Sequence, residues 1–330
     1  MNSDIEYLTF TAEEDGTTFS FTKHGTGNID YSIDNGFTWT SLESGANTPP
    51  INTGEKMMWR GEMIRSTSGN LGIGRFSSTG RFRVGGNPYS LVNKVNSADP
   101  NNGKYCLYAN LFNGCSLLTD ASQLNINHEV AQGYMCASMF KLCTSLVVGP
   151  SLQKIKVVAQ FTFSEMFFGC TSLVVAPDLP NAVFLTENGA SNHCKHMFRE
   201  CYLLKKAPAM PTMGLASYCY NEMYRGCDSL EEIVLPAEVL VQGCYVGMFL
   251  SLDYRLSIDG RTHKCTNLKY IKMMSINAAP SSDYCANWVT DVPSGGTFVK
   301  NSAAEWKDNP FGKSAIPTEW TVIESNEEQQ

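Results

Sequence analysis

The chain is expected to be multidomain: an all-β sandwich over residues 1–97, a repeat solenoid over 98–280, a small β cap over 281–323, and a tail at 324–330. Two observations predict this. A short phrase recurs through the middle of the chain, and the first hundred residues read instead as alternating apolar and polar residues punctuated by Gly, Asn and Ser.

In that first stretch, Tyr7 to Phe10, Thr17 to Phe21, Ile29 to Ile33, Phe37 to Trp39, Lys56 to Trp59 and Arg81 to Val84 read as short strands. Turn signals separate them at intervals of about ten residues, the rhythm of a β-sandwich. Ser32-Ile33-Asp34-Asn35-Gly36-Phe37-Thr38-Trp39 matches the Asp-box pattern, which resembles hairpins of sialidase propellers. Asn35-Gly36 favours the positive φ angles of a type I′ turn, Asp34 can accept from the turn backbone, and Trp39 is placed to pack beneath it. One copy of the motif predicts a stable hairpin, with Asp34, Gly36 and Trp39 as structural residues.

The repeated phrase reads Leu111-Phe112-x-x-Cys115, Met139-Phe140-x-x-Cys143, Met166-Phe167-x-x-Cys170, Met197-Phe198-x-x-Cys201 and Met223-Tyr224-x-x-Cys227. A sixth copy is split: Met248-Phe249 starts it and Cys265 resumes it. The six cysteines lie 28, 27, 31, 26 and 38 positions apart, and each is followed three residues later by Leu. A fixed period in this range predicts about six stacked repeats, none able to bury its apolar face alone. Leu230-x-x-Ile233-x-Leu235 and Leu268-x-x-Ile271-x-Met273 match the L-x-x-L-x-L core of leucine-rich repeats. The expected fold is therefore a leucine-rich-repeat solenoid, a right-handed β/α superhelix, with each Met-Phe segment on its short helical or turn-like side. Pro150, Pro177, Pro208 and Pro236 end each strand at the same place.

Twelve cysteines would suggest disulfides in a small secreted domain, yet none falls in the first 105 residues and six share one repeat position. Cys115, Cys143, Cys170, Cys201, Cys227 and Cys265 are expected to be buried free thiols that act as small apolar groups.

Three features point to binding. Lys205 and Lys206 are equivalent to Glu231 and Glu232 of the next repeat, and Lys269 follows, which predicts a ladder of opposite charges. Earlier repeats place Val147, Val148, Val174 and Val175 there, so the face grades from apolar to charged. An insertion between Phe249 and Cys265 interrupts the array, and Arg255, Arg261 and His263 are its candidate contact residues.

The phrase Met-Phe-x-x-Cys-Thr-Ser-Leu…Ala-Pro-x-Leu-Pro, best kept at 166–180, resembles the BspA-type leucine-rich repeats of Bacteroides-group bacteria. The closing stretch from Gly296 to Val322 is similar to the C-terminal cap of those proteins. This resemblance implies a surface or secreted protein used in adhesion, with no catalytic residues to carry over.

Composition excludes some classes. A net charge of −7 with a pI near 5.3 argues against a nucleic-acid surface. No apolar run of about 18 residues exists to enter a membrane. The opening residues lack a basic and an apolar segment, so no secretory signal is read in this chain. Gly72-Ile73-Gly74 lacks the context of a dinucleotide loop. Asp30-x-Ser32-x-Asp34 lacks the glycine and bidentate Glu of a calcium loop. His193, Cys194, His196 and Cys201 form the only His/Cys cluster, without a C-x-x-C pair. No catalytic, metal or cofactor residues are assigned.

The expectation is thus a non-enzymatic binding or adhesion protein. It would recognise an extracellular protein or glycan at the bacterial cell surface, or after secretion if a signal has been removed. The alternative is a structural virion protein, a tail or head decoration of a phage infecting such bacteria, whose partners would be neighbouring virion proteins. A glycan-active enzyme is a weaker alternative resting on the Asp-box alone.

Overall fold

A computed structural model of the chain describes residues 6–66, 69–92, 105–185, 191–211, 214–276, 283–304, 306, 316–317 and 319–325. The boundary expected at 97/98 and most of the expected tail, 326–330, lie outside these residues.

The N-terminal strands are short, with buried residues at alternate positions, as in β1 (Leu8–Ala12), where Leu8, Phe10 and Ala12 point inward. With β3 (Ile29–Ser32), β4 (Thr40–Ser41), β5 (Lys56–Gly61), β7 (Phe82–Gly86) and β8 (Leu118–Leu124), it forms a six-stranded sheet ordered β4-β3-β5-β1-β7-β8. A two-stranded ribbon, β2 (Phe19–Lys23) with β6 (Gly74–Ser78), packs on it. This corrects the expected sandwich, since a ribbon covers the sheet where a second full sheet was expected. Phe10 is the hub, with its ring centroid 5.1 Å from Phe19, 5.4 Å from Trp59, 4.8 Å from Phe76 and 5.1 Å from Phe82. β8 follows the first copy of the phrase and pairs parallel with β7, and Phe112 stacks on Phe76 at 5.8 Å. One hydrophobic core therefore runs from the sheet into the repeated segment.

The expected β/α leucine-rich-repeat superhelix is not formed. Among the described residues there is no α-helix; the one helical element is a 3-10 turn at Pro88–Leu91. The other strands form small sheets. β9 (Val130–Ala131), β10 (Val157–Val158) and β11 (Val183–Phe184) make one parallel sheet. A second contains β12 (Glu232–Leu235), β13 (Tyr270–Met273), β14 (Thr297–Asn301) and β15 (Thr321–Ser325), so the expected cap strands simply extend a parallel sheet.

The physical reason is the destination of the backbone N–H groups in the Met-Phe segments. In 134–143 the N–H groups of Tyr134, Cys136, Ser138, Phe140 and Leu142 donate to carbonyls near residue 160–168, in the next copy. The intervening ones, at Met135, Ala137, Met139, Lys141 and Cys143, donate three residues back. An α-helix needs every N–H to reach four residues back. Alternation leaves none available, and the segment becomes a run of tight turns. Each fourth residue also takes a left-handed conformation, as at Tyr134 (φ 58°), Ser138 (φ 53°) and Leu142 (φ 60°), which no helix of L-residues sustains.

Consecutive copies are thereby held in register, and their aromatics stack nearly parallel. Phe112–Phe140 and Phe140–Phe167 centroids are 5.4 Å apart, Phe167–Phe198 5.5 Å and Phe198–Tyr224 5.8 Å. All are fully buried, and burying each such ring contributes about 2–3 kcal/mol.

Candidate binding surfaces

The Asp-box hairpin is built as its sequence suggests. Asn35 and Gly36 take φ angles of 58° and 85°. Ser32 Oγ donates to Asp34 Oδ1 at 2.7 Å, and Asp34 accepts from the Thr38 N–H at 2.9 Å and its hydroxyl at 2.6 Å. These donors hold the Asp34 carboxyl down to about 2, the Thr38 hydroxyl bond being the largest cause. Trp39 Nε1 donates to Gly36 O at 3.0 Å, and Arg60 lies 4.3 Å over the indole. Ser32, Asp34, Thr38 and Trp39 thus use their polar groups to close the turn.

All twelve cysteines are buried free thiols. Each of the six phrase cysteines has a defined acceptor, which for the last five is the carbonyl of the preceding copy's aromatic. Cys143 Sγ donates to Phe112 O at 3.1 Å, Cys170 to Phe140 O at 3.0 Å, Cys201 to Phe167 O at 3.2 Å and Cys227 to Phe198 O at 3.0 Å. Cys265 donates to Tyr224 O at 3.4 Å, and Cys115, in the first copy, donates to Phe76 O of β6 at 2.9 Å. Burial pushes the Cys115 and Cys265 thiols up to about 12. His193 stacks on Phe184 and bonds Leu185 O, while His196 lies between Glu165 and Glu222. His193, His196 and Cys201 of the His/Cys cluster therefore have separate structural partners, and Cys194 is buried as a free thiol. Among the described residues, no group of three or more His, Cys, Asp or Glu is disposed to hold a metal ion.

The charge ladder lies on the strand side. Lys206 and Glu232 face each other across a parallel bridge with Nζ to Oε1 at 3.5 Å, and Lys269 reaches Glu231 at 3.2 Å. Lys205 enters through its carbonyl, which accepts the Glu231 N–H. These ion pairs are exposed, so each contributes at most about 1 kcal/mol. Bridges link Asp120, Val148 and Val175, and others link Lys206 onward, but among the described residues none joins Val175 to Lys206. A groove of about 670 Å³ lies across this break, lined by Val174, Val175, Met210, Val234 and Tyr270 and rimmed by the Lys206–Glu232 pair.

The second surface is the insertion. Leu252 and His263 pair as an antiparallel bridge, closing the neck of a strap that spans residues 253–262. The strap folds back over the turn side. Ile258 N–H donates to Glu200 Oε2 at 2.8 Å, two copies earlier in sequence, and the Ile258 side chain lies against Gly169 in the copy before that. Glu200 has no solvent exposure and also accepts from the Tyr202 hydroxyl at 3.0 Å. On the outer side Tyr254 and Leu256 are 55 and 60% exposed, while Ile258 packs inward and keeps 40% exposure.

Of the insertion residues expected to make contacts, Arg255 and Arg261 are exposed, with Arg255 held by Asp253 at 3.2 Å. His263 is corrected. It is only 6% exposed, with Nδ1 2.6 Å from Asp228 Oδ2 and Nε2 2.9 Å from Asp259 Oδ1, so it anchors the strap from inside. The sequence reading missed Glu200, Tyr202 and Asp228, whose roles depend on which copies the strap crosses. It also passed over Tyr254 and Leu256, although alternating large apolar residues in a polar insertion were a visible signal.

Among the described residues no helix is long and apolar enough to cross a membrane. No protein-family model matches this chain, and neither does any curated protein or any solved structure.

Proposed function

We propose that the protein is a non-enzymatic binding protein acting in adhesion, and that the 253–262 strap is its principal contact surface. The observation that carries this reading is the strap's combination of outward apolar side chains with inward anchoring. Tyr254 and Leu256 are left open to solvent on a segment fixed by the Leu252–His263 bridge, the Glu200 bond, the Ile258 contact with Gly169 and two aspartates. Ordering a loop before binding removes an entropy cost from association. Tyr and Arg are the side chains that most often anchor interfaces, and Arg255 and Arg261 flank the apolar residues. The partner class is an extracellular protein or glycan; the aromatic and aliphatic exposure favours a protein surface with an apolar depression.

A screen of wild-type protein on arrayed extracellular-matrix proteins and glycans tests this. A captured ligand should be lost at least tenfold in Tyr254→Ser/Leu256→Ser and weakened in Arg255→Ala/Arg261→Ala, with the melting temperature nearly unchanged. Undiminished capture by these variants would reject the strap as the contact surface.

A second reading has its own support in the twelve unbridged thiols, which suit a protein that folds in a reducing cytosol. In that reading the chain is a structural component of a phage particle. Peptide counts from protease-shaved intact cells against density-purified particles of the same culture separate the two.

A further inference from the structure

His263 occupies a position that only its charged form satisfies. Its two ring nitrogens each face a carboxylate, Asp228 at 2.6 Å and Asp259 at 2.9 Å. A neutral imidazole carries one N–H, so one nitrogen would turn a lone pair toward a carboxylate; the imidazolium donates to both. The ring also lies flat on Tyr202, with centroids 3.7 Å apart and planes 10° from parallel. Tyr202 in turn donates to Glu200, the residue that holds the Ile258 N–H.

We propose that His263 is a protonation clasp for the 253–262 strap, holding it against the turn side when charged and releasing it when neutral. This concerns regulation of the contact surface proposed above and rests on that reading for its consequence.

The groups around His263 set the sign. Asp228 faces it from the fifth copy of the phrase, Asp259 from the strap, and Tyr202 from the fourth copy. Glu200 stands behind Tyr202, paired with Arg199 at 3.6 Å. Arg261 and Lys264 are its cationic neighbours along the chain. Burial works against the charge, and the hydrogen bonds to Asp228 and Asp259 outweigh it, so His263 holds its proton above the ordinary 6.5. A raised folded value means the clasp is complete below the ordinary histidine range and is lost as pH rises through the raised value. Solution above the raised value is therefore the releasing condition. Release would draw the Ile258 N–H from Glu200 and its side chain from Gly169, leaving Tyr254 and Leu256 without a fixed geometry.

Amide exchange followed by NMR tests the clasp, with each rate expressed as a protection factor against the intrinsic rate at that pH. In the full chain, protection at Ile258 should fall about tenfold or more as pH rises through the raised His263 value, while protection at Tyr224 in the stacked core stays level. In His263→Gln the Ile258 protection should be low and independent of pH. In Asp228→Asn the fall should move to lower pH. Level Ile258 protection in the wild type, or a pH-dependent fall that persists in His263→Gln, would overturn the proposal. Should the variants fail to fold, the wild-type imidazole resonances decide: titration of His263 at or below the free-imidazole range overturns it. None of these readouts involves a ligand, so the clasp stands or falls separately from the contact surface.

Discussion

Cys170 donates its S–H to the carbonyl of Phe140, 3.0 Å away and one copy of the phrase earlier. The same carbonyl accepts the Cys143 N–H at 3.0 Å, so both of its lone pairs are used inside a fully buried stack. This explains why a thiol recurs at one place: it is small enough for the turn and still carries a donor. A purely apolar residue would leave each aromatic carbonyl half-satisfied.

The exchange series at this position follows from that bond. Cys170→Ala removes the donor and the sulfur's packing and should cost about 1–2 kcal/mol in urea unfolding. Cys170→Ser should cost less, because its hydroxyl can donate to Phe140 O. The opposite order would show that the sulfur acts only by filling space.

Thiol chemistry gives a second expectation. All twelve thiols are buried, and burial pushes Cys115 up to about 12. Thiolate is the reactive form, so an aromatic disulfide reagent at about pH 8 should release almost no colour from native protein. In denaturant it should titrate twelve groups. Rapid reaction of several thiols in the native state would contradict the packing described above.

Backbone handedness makes a third. Gly114 and Gly169 stand at equivalent turns with φ of 79° and 73°. A Cβ at Gly114 would meet nothing within 4 Å, whereas at Gly169 it would lie 2.8 Å from Leu142 Cδ2 and 3.3 Å from Ile258 Cδ1. Gly114→Ala should therefore cost only the left-handed penalty, about 1–2 kcal/mol. Gly169→Ala should cost more and should also loosen the strap. Equal costs would mean that Leu142 and Ile258 move aside freely.

These same glycines show where the sequence was legible. The phrase period and the buried cysteine position were plain, since chemistry repeats there at every copy. So was the Asp-box turn, whose closing side-chain hydrogen bonds run among its own residues. The missing helix was harder. Gly114, Gly169 and Gly226, each just before the phrase cysteine, signal a left-handed residue, but Leu142 and Glu200 adopt it at the same place without any such signal. Leu and Glu favour helices, and the inter-copy hydrogen bonds that override them are set by stacking and not by local sequence. His263 was visible as a titratable residue in an insertion. Its partners Asp228 and Tyr202 come from other copies, so its burial was not legible.

A network of charges along the turn side predicts the acid limit of the fold. Glu165 accepts from Lys141 at 2.6 Å and lies 3.8 Å from His196, and Glu222 lies 2.9 Å from Arg225 and 3.5 Å from His196. The close approach of His196 is the main cause that holds Glu165 at about 2, with burial opposing it. For Glu222 burial is the largest influence and raises the value, yet the approach of His196 and the bond from Arg225 together bring it to about 2. Folded values below unfolded ones mean stability that is complete above about pH 4.5 and lost as pH falls toward 2. Thermal unfolding should therefore show a falling midpoint over that window. Glu165→Gln/Glu222→Gln should lower the midpoint at pH 6 and flatten the acid slope, because the protonated form is then present throughout. A slope unchanged by the double variant would place acid sensitivity in other carboxylates and remove this network as its source.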